Sequence, residues 1–248
     1  MADFKFPTEM VDLPSKGYFY FDGHPLSSGK VEVKYMTAKE EDILTSQNLI
    51  QQGVVIDKLL ESLIVDKSIK IDDMLIGDKN AIMVAARILG YGKDYKFTYD
   101  GKEHTIDLTK LEPVNIDFSK FTNGKNEFDY PLPNSKRTIT FKLLTGTDEN
   151  QIEKELEARK KLSEDNVREL TTRLKAMITA VDGKREKTYI NNFIDNEFLS
   201  MDSLSFREYL SEVTPDIDMN TTIIDADGEE RVVGVPITLR FFWPSTGV

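Results

Sequence analysis

The chain has 248 residues, enough for one large domain or two small ones, and 40% of them are hydrophobic, enough to fill a core. With 32 Lys and Arg against 43 Asp and Glu the formal net charge is −11, which disfavours general binding to a phosphate backbone while leaving room for a local basic patch. There is no cysteine, which excludes disulfides, thiolate zinc sites and thiol nucleophiles together, and the two histidines, His24 and His104, lie far apart.

The N-terminus MADFKFPTEM lacks a signal-peptide pattern, and no apolar run approaches the roughly 20 residues of a membrane span. The sequence therefore reads as a soluble, unexported protein. Residues 1–36 form an extended, β-rich arm punctuated by Pro7, Pro14, Gly17, Gly23, Pro25 and Gly29. Val31, Val33 and Tyr35 alternate with Glu32 and Lys34, the pattern of a half-buried strand, and the aromatic run Tyr18–Phe21 is expected to cross or edge the same sheet.

Residues 37–92 read as a helical unit. Its first turn contains the acidic triplet Glu40-Glu41-Asp42, which raises the question of metal or acid–base chemistry. Successive helical residues point about 100° apart, so the three carboxylates cannot converge on one ion. Thr37 and Glu40 instead have the spacing of a capping box, with Glu41 and Asp42 complementing the helix dipole. Val54, Val55, Leu59, Leu60, Leu63 and Ile64 continue at helical spacing after Gly53. Asp72 and Asp73 can cap a further turn, and Asp78 a longer helix stopped at Gly90.

Residues 93–146 change to a period of two. Tyr95, Phe97 and Tyr99 alternate before Asp100-Gly101, and His104, Ile106 and Leu108 alternate after it, which is a strong hairpin signal that puts His104 on the inward side. EFDYPL and KRTITFKLL flank Pro133-Asn134-Ser135 as a second pair of strands.

Residues 147–214 turn helical again. TDENQIEKELEARKKL has a thin apolar stripe of Ile152, Leu156 and Leu162, so this helix is mostly solvated or awaits a partner. The next helix runs through SEDNVRELTTRLKAMITAV, with Val167, Leu170, Leu174, Met177 and Ile178 on one face, and stops near Gly183. Two shorter helices follow, ended by Pro215. Residues 215–248 read as a hairpin turning at Asp227-Gly228 and ending in ITLRFFWP, and its strands are candidates to pair with the N-terminal ones. The fold class is therefore α+β, with helical units flanking a small antiparallel sheet, a β-rich N-terminal arm and a C-terminal hairpin.

Motifs for chemistry are weak throughout. DADGEE at 225–230 lacks the remaining oxygen ligands of a calcium loop, GYGK at 90–93 lacks the spacing of a phosphate loop, and no G-x-S-x-G elbow is present. A carboxylate metal-dependent enzyme would have to draw on Asp72, Asp73, Asp225 and Asp227, which nothing in the sequence brings together. No catalytic residue, cofactor or metal is assigned. The interaction candidates are aromatic: Phe4, Phe6, Tyr18 and Phe19 in the arm, and Phe241, Phe242 and Trp243 near the C-terminus. For the C-terminal group the competing reading is a segment docked in the chain's own core.

LPSKGYFY, followed by GKVEVKYMTAKEEDILTSQNLIQQGVVIDKLLESLI, resembles the baseplate hub and hub-assembly proteins of T-even-type contractile-tailed bacteriophages. ARILGYGKDYKF, TITFKLLTG and VPITLRFFWP fit the same group in the same order. The resemblance implies a non-enzymatic role in assembling the baseplate hub in the host cytoplasm, through contacts with hub proteins. Tape-measure proteins and further copies of the chain are additional candidate partners. The alternatives are a tail-assembly chaperone that shields the tape-measure protein and leaves before the virion is finished, and a permanent subunit of the virion baseplate. Some relatives carry a paired-cysteine, zinc-ribbon-like insert after the YG element. Here that stretch is YKFTYDGKEHTIDL, without cysteine, and no zinc role carries over.

Overall fold

In the computed structural model, which describes residues 7–162, 168–225 and 228–242, the chain folds as the expected α+β protein. Phe4, Phe6, Val167, Asp227 and Trp243, which enter the expectations above, lie outside these residues, as does the side chain of Leu162.

Strands β1 (Thr8–Asp12) and β2 (Lys30–Lys34) pair antiparallel, with Val31 and Val33 turned into the core as their alternation requires. The intervening aromatic run does not join that sheet. Residues 13–29 coil through successive turns because two left-handed glycines let the backbone cross itself. A Cβ on Gly17 would lie 2.4 Å from the Ser27 carbonyl oxygen, and one on Gly29 2.6 Å from Lys16. This replaces the strand expected at Tyr18–Phe21 with a knot of turns that buries Phe19 and Tyr20.

Helices α1 (Ala38–Thr45), α2 (Gln47–Gln51) and α3 (Val55–Leu63) follow, and α3 buries Val55, Leu59, Leu60 and Leu63 on one face. A 3-10 turn at Ile71–Asp73 leads into α4 (Ile76–Tyr91). α4 passes the expected stop at Gly90 and ends at Gly92, whose φ of 82° lets the chain reverse. Gly90 stays helical, and its bare Cα makes room for Met36.

β3 (Asp94–Tyr99) and β4 (Lys102–Asp107) form the expected hairpin about Asp100-Gly101, both at positive φ. Tyr95 and Phe97 are buried, and His104 sits half-buried opposite Phe97. β5 (Phe128–Pro131) and β6 (Thr138–Phe141) pair as expected and gain a third strand, β7 (Ile178–Val181). The helix expected through Val181 stops at Met177, because the Ile-Thr-Ala-Val run pairs with β6 instead of continuing the coil.

α5 (Gly146–Leu162) and α6 (Glu169–Met177) lie between β6 and β7 in sequence, and α7 (Lys187–Asn196) and α8 (Ser200–Val213) follow β7. β8 (Asn220–Ile224) and β9 (Glu230–Gly234) make a separate two-stranded sheet. The N- and C-terminal strands therefore do not pair with each other. The last segment, expected as a strand, instead forms a short helix, α9 (Leu239–Phe242), which packs against α4.

One hydrophobic cluster collects buried residues from Leu13 to Phe242. An aromatic line runs through it, from Phe19 to Phe128 (5.4 Å between ring centroids), Phe141 (5.4 Å) and Phe206 (5.1 Å), joining the arm, the three-stranded sheet and α8.

Candidate functional site

Among the described residues three carboxylates are fully buried, and each is occupied by the chain's own donors. At the start of α1, Thr37 and Glu40 form a capping box. Both the Thr37 N–H (2.9 Å) and its hydroxyl (2.6 Å) donate to one Glu40 oxygen, while Lys34 Nζ (2.8 Å) and Ser62 Oγ (2.7 Å) donate to the other. Burial pushes this carboxyl up, but the Lys34, Thr37 and Ser62 hydrogen bonds outweigh it and hold the group at about 2. A carboxyl held low stabilises the fold above its ordinary range and stops doing so as pH falls through its folded value. Glu40 is therefore expected to supply up to about 3 kcal/mol that disappears between pH ~4.5 and ~2. Glu40→Gln should cost about 2 kcal/mol at neutral pH and flatten that acid limb. Urea unfolding at pH 7 and pH 3 checks this, and an unchanged acid limb in the variant would assign the titration to another group.

Asp78, in the first turn of α4, was expected to cap that helix. Instead it reaches back to the arm. The Ser15 N–H (2.9 Å) and hydroxyl (2.6 Å) and the Tyr20 hydroxyl (2.7 Å) all donate to it, and Tyr20 in turn accepts from the Leu75 N–H (2.9 Å). Burial raises the Asp78 carboxyl, with the hydrogen bonds opposing, and burial together with Asp78 raises the Tyr20 hydroxyl. Asp202, near the start of α8, fastens the β5–β6 turn through the N–H groups of Asn134 (2.7 Å) and Ser135 (2.9 Å). Each of these carboxylates clamps separate elements of the fold together.

The scattered carboxylates do not assemble. Asp72 accepts from Asn150 and Asp225 pairs with Arg231, and among the described residues no three Asp, Glu or His side chains converge as a metal site. His24 lies in a turn stacked on Tyr20, with Nδ1 accepting from the Leu26 N–H.

The aromatic candidates among the described residues, Tyr18, Phe19, Phe241 and Phe242, pack within the fold. Phe19 is buried, and half-buried Tyr18 donates to the Phe121 carbonyl and packs on Phe118. Phe241 and Phe242 are fully buried, Phe241 against Tyr95, so the docked reading of that segment describes both rings. The charged helix α5 is docked too: Ile152 is buried, and Glu149 holds Arg173 of α6 through two hydrogen bonds.

The surface of the described residues also carries features that the sequence did not show. Leu199, Met201 and Leu204 stand 50%, 60% and 40% exposed at the start of α8. The second feature is a groove of 670 Å³ on the outer face of the β1–β2 sheet. Residues 64–65 run beside β2, with Val33 bridged to Ile64 and the Val65 N–H donating to the Glu32 carbonyl (3.0 Å). Lys34, Lys39 and Lys67 line this groove over a floor of Ile64 and Val65. They come from a strand, a helix start and a loop, so no spacing rule joins them. The available signal was a lysine inside the acidic helix start TAKEED.

No helix among the described residues is long and apolar enough to cross a membrane. No curated protein and no solved structure matches the chain. A family model described as T4 bacteriophage base plate protein matches residues 8–243, nearly the whole of the fold described above. The chain belongs to this family of T4-type phage baseplate proteins.

Proposed function

We propose that this baseplate protein acts without enzymatic chemistry, in assembling the central hub of the tail baseplate through protein–protein contacts. The family match over residues 8–243 carries the reading, and the ordered motifs of the arm and first helices point it to the hub. The internally satisfied carboxylates Glu40, Asp78 and Asp202 support a structural role, since each buried acid already has its partners within the fold. The exposed trio Leu199, Met201 and Leu204 offers apolar surface for a partner. In this reading the chain works in the host cytoplasm while tails are built, meets hub proteins there, and is carried into the virion baseplate. The docking of α5 on α6 favours it over a chaperone for the tape-measure protein, which would need that helix free.

Co-expression with the phage's hub and tape-measure proteins, followed by affinity purification, is expected to recover a complex containing the hub protein. Mass spectrometry of purified tails is expected to find the chain in a fixed ratio to it. Normal baseplates formed without this gene, together with no hub protein in the purified material, would refute the proposal.

A further inference from the structure

The groove on the β1–β2 sheet holds one cation, Lys39, that the fold's own stability does not call for. Lys39 is the second residue of α1, at the positive end of the helix dipole, where a cation is unfavourable and the neighbouring Glu40 and Glu41 are favourable. Lys39 is exposed and has no ion-pair partner among the described residues. Lys67 is fixed at the end of α3, where its ammonium donates to the carbonyls of Ile64 (2.6 Å) and Glu61 (2.7 Å). Lys34, bonded to Glu40, completes the set. Burial and the nearby charges of Lys34 and Lys39 push the Lys67 ammonium down, so these cations repel one another across the groove. Glu32 also lines the groove and receives the Thr8 hydroxyl (2.6 Å). Positive charge is thus concentrated on one concave surface of a chain whose net charge is −11.

A residue that breaks the local rule for its element without gain inside the fold marks a functional position. Here the missing gain is an anion. The floor adds a second requirement, because Val65, 42% exposed beside the buried Ile64, offers an apolar seat between the cations. We propose that this groove docks an acidic peptide segment of a partner protein, with carboxylates against Lys39 and Lys67 and an apolar side chain on Val65. The proposal rests on the protein-contact reading above and gives that contact a chemistry. A nucleic acid matches the cations but not the apolar seat, and the chain's overall charge repels a long polyanion.

The test uses the whole chain and a fluorescein-labelled peptide of glutamates around a central leucine, followed by anisotropy at low and moderate salt. Binding is expected to weaken as salt rises, to fall about tenfold or more in Lys39→Glu, and to fall in Val65→Ser at constant salt sensitivity. Lys39→Glu removes a cation from a helix start and relieves repulsion, so its melting temperature should match or exceed that of the parent chain. A purely structural lysine would lower it. The proposal is overturned if the parent chain does not bind the peptide, if Lys39→Glu binds it equally well, or if an oligothymidylate of equal charge binds more tightly. The probe contains no hub protein, so its failure leaves the hub reading standing. A failed hub co-purification beside intact peptide binding would remove the hub reading alone.

Discussion

Replacing Asp78 with alanine is expected to destabilise the folded chain by about 3–5 kcal/mol, a large part of the margin of an ordinary domain. The carboxylate is the common acceptor for three donors, the Ser15 N–H, the Ser15 hydroxyl and the Tyr20 hydroxyl, all in the interior. Alanine leaves each without a partner where water cannot replace it, at roughly 1–3 kcal/mol apiece, offset in part because a charge is no longer buried. Asp78→Asn keeps an acceptor and the volume, and should lose clearly less. Tyr20→Phe leaves the Leu75 N–H unpaired and should cost about 1–2 kcal/mol. Urea unfolding of the three variants provides the ranking. An alanine variant as stable as the asparagine one would mean that the clamp does not hold the arm to α4.

The neighbouring residue gives the second large effect. Gly77 lies in the first turn of α4, where a Cβ would sit 1.8 Å from the Pro215 carbonyl oxygen and 2.7 Å from the Asp216 Cα. Both obstacles are backbone, so no side-chain rotation relieves them. The same junction is held by Asn80, whose amide donates to Asp216 (3.0 Å), which fixes the distance between α4 and the segment after α8. Alanine is normally the better helix residue, and at an open helical site this exchange would stabilise by about 1 kcal/mol. Here Gly77→Ala should instead cost about 3 kcal/mol or more through overpacking. Thermal unfolding decides between the two signs, and a raised melting temperature would show that the junction is loose.

The sequence was legible where one short stretch determines its own structure. The β3–β4 hairpin follows from alternation around Asp100-Gly101, whose positive φ angles suit that turn and little else. The pairing of Thr37 with Glu40 is written in a three-residue spacing. Legibility failed where a distant segment decides. Ile178 fits the apolar face of the preceding helix, yet the run it begins is a strand because β6 offers a free edge. Asp78 carries the local mark of a helix start, but its partners lie 63 and 58 residues away. Phe241 and Phe242 have strand-like character, and they pack instead as a helical turn against Tyr95 and α4. The groove was hidden for the same reason, because Lys34, Lys39 and Lys67 belong to different elements and meet only when β2, α1 and the segment after α3 pack.

The start of α4 is the meeting point of the arm, through Ser15 and Tyr20, and of the segment after α8, through Pro215 and Asp216. The bond from Asn80 to Asp216 spans 136 residues, and that from the Tyr95 hydroxyl to the Pro236 carbonyl spans 141. During synthesis α4 and the arm therefore leave the ribosome long before the residues that complete their packing. Closing such long loops slows folding, and until then the apolar side chains around Leu75 and Ile76 remain uncovered. The fold becomes complete only when the last quarter of the chain has emerged, so a nascent or interrupted chain lacks a finished central helix junction to present to its assembly partners.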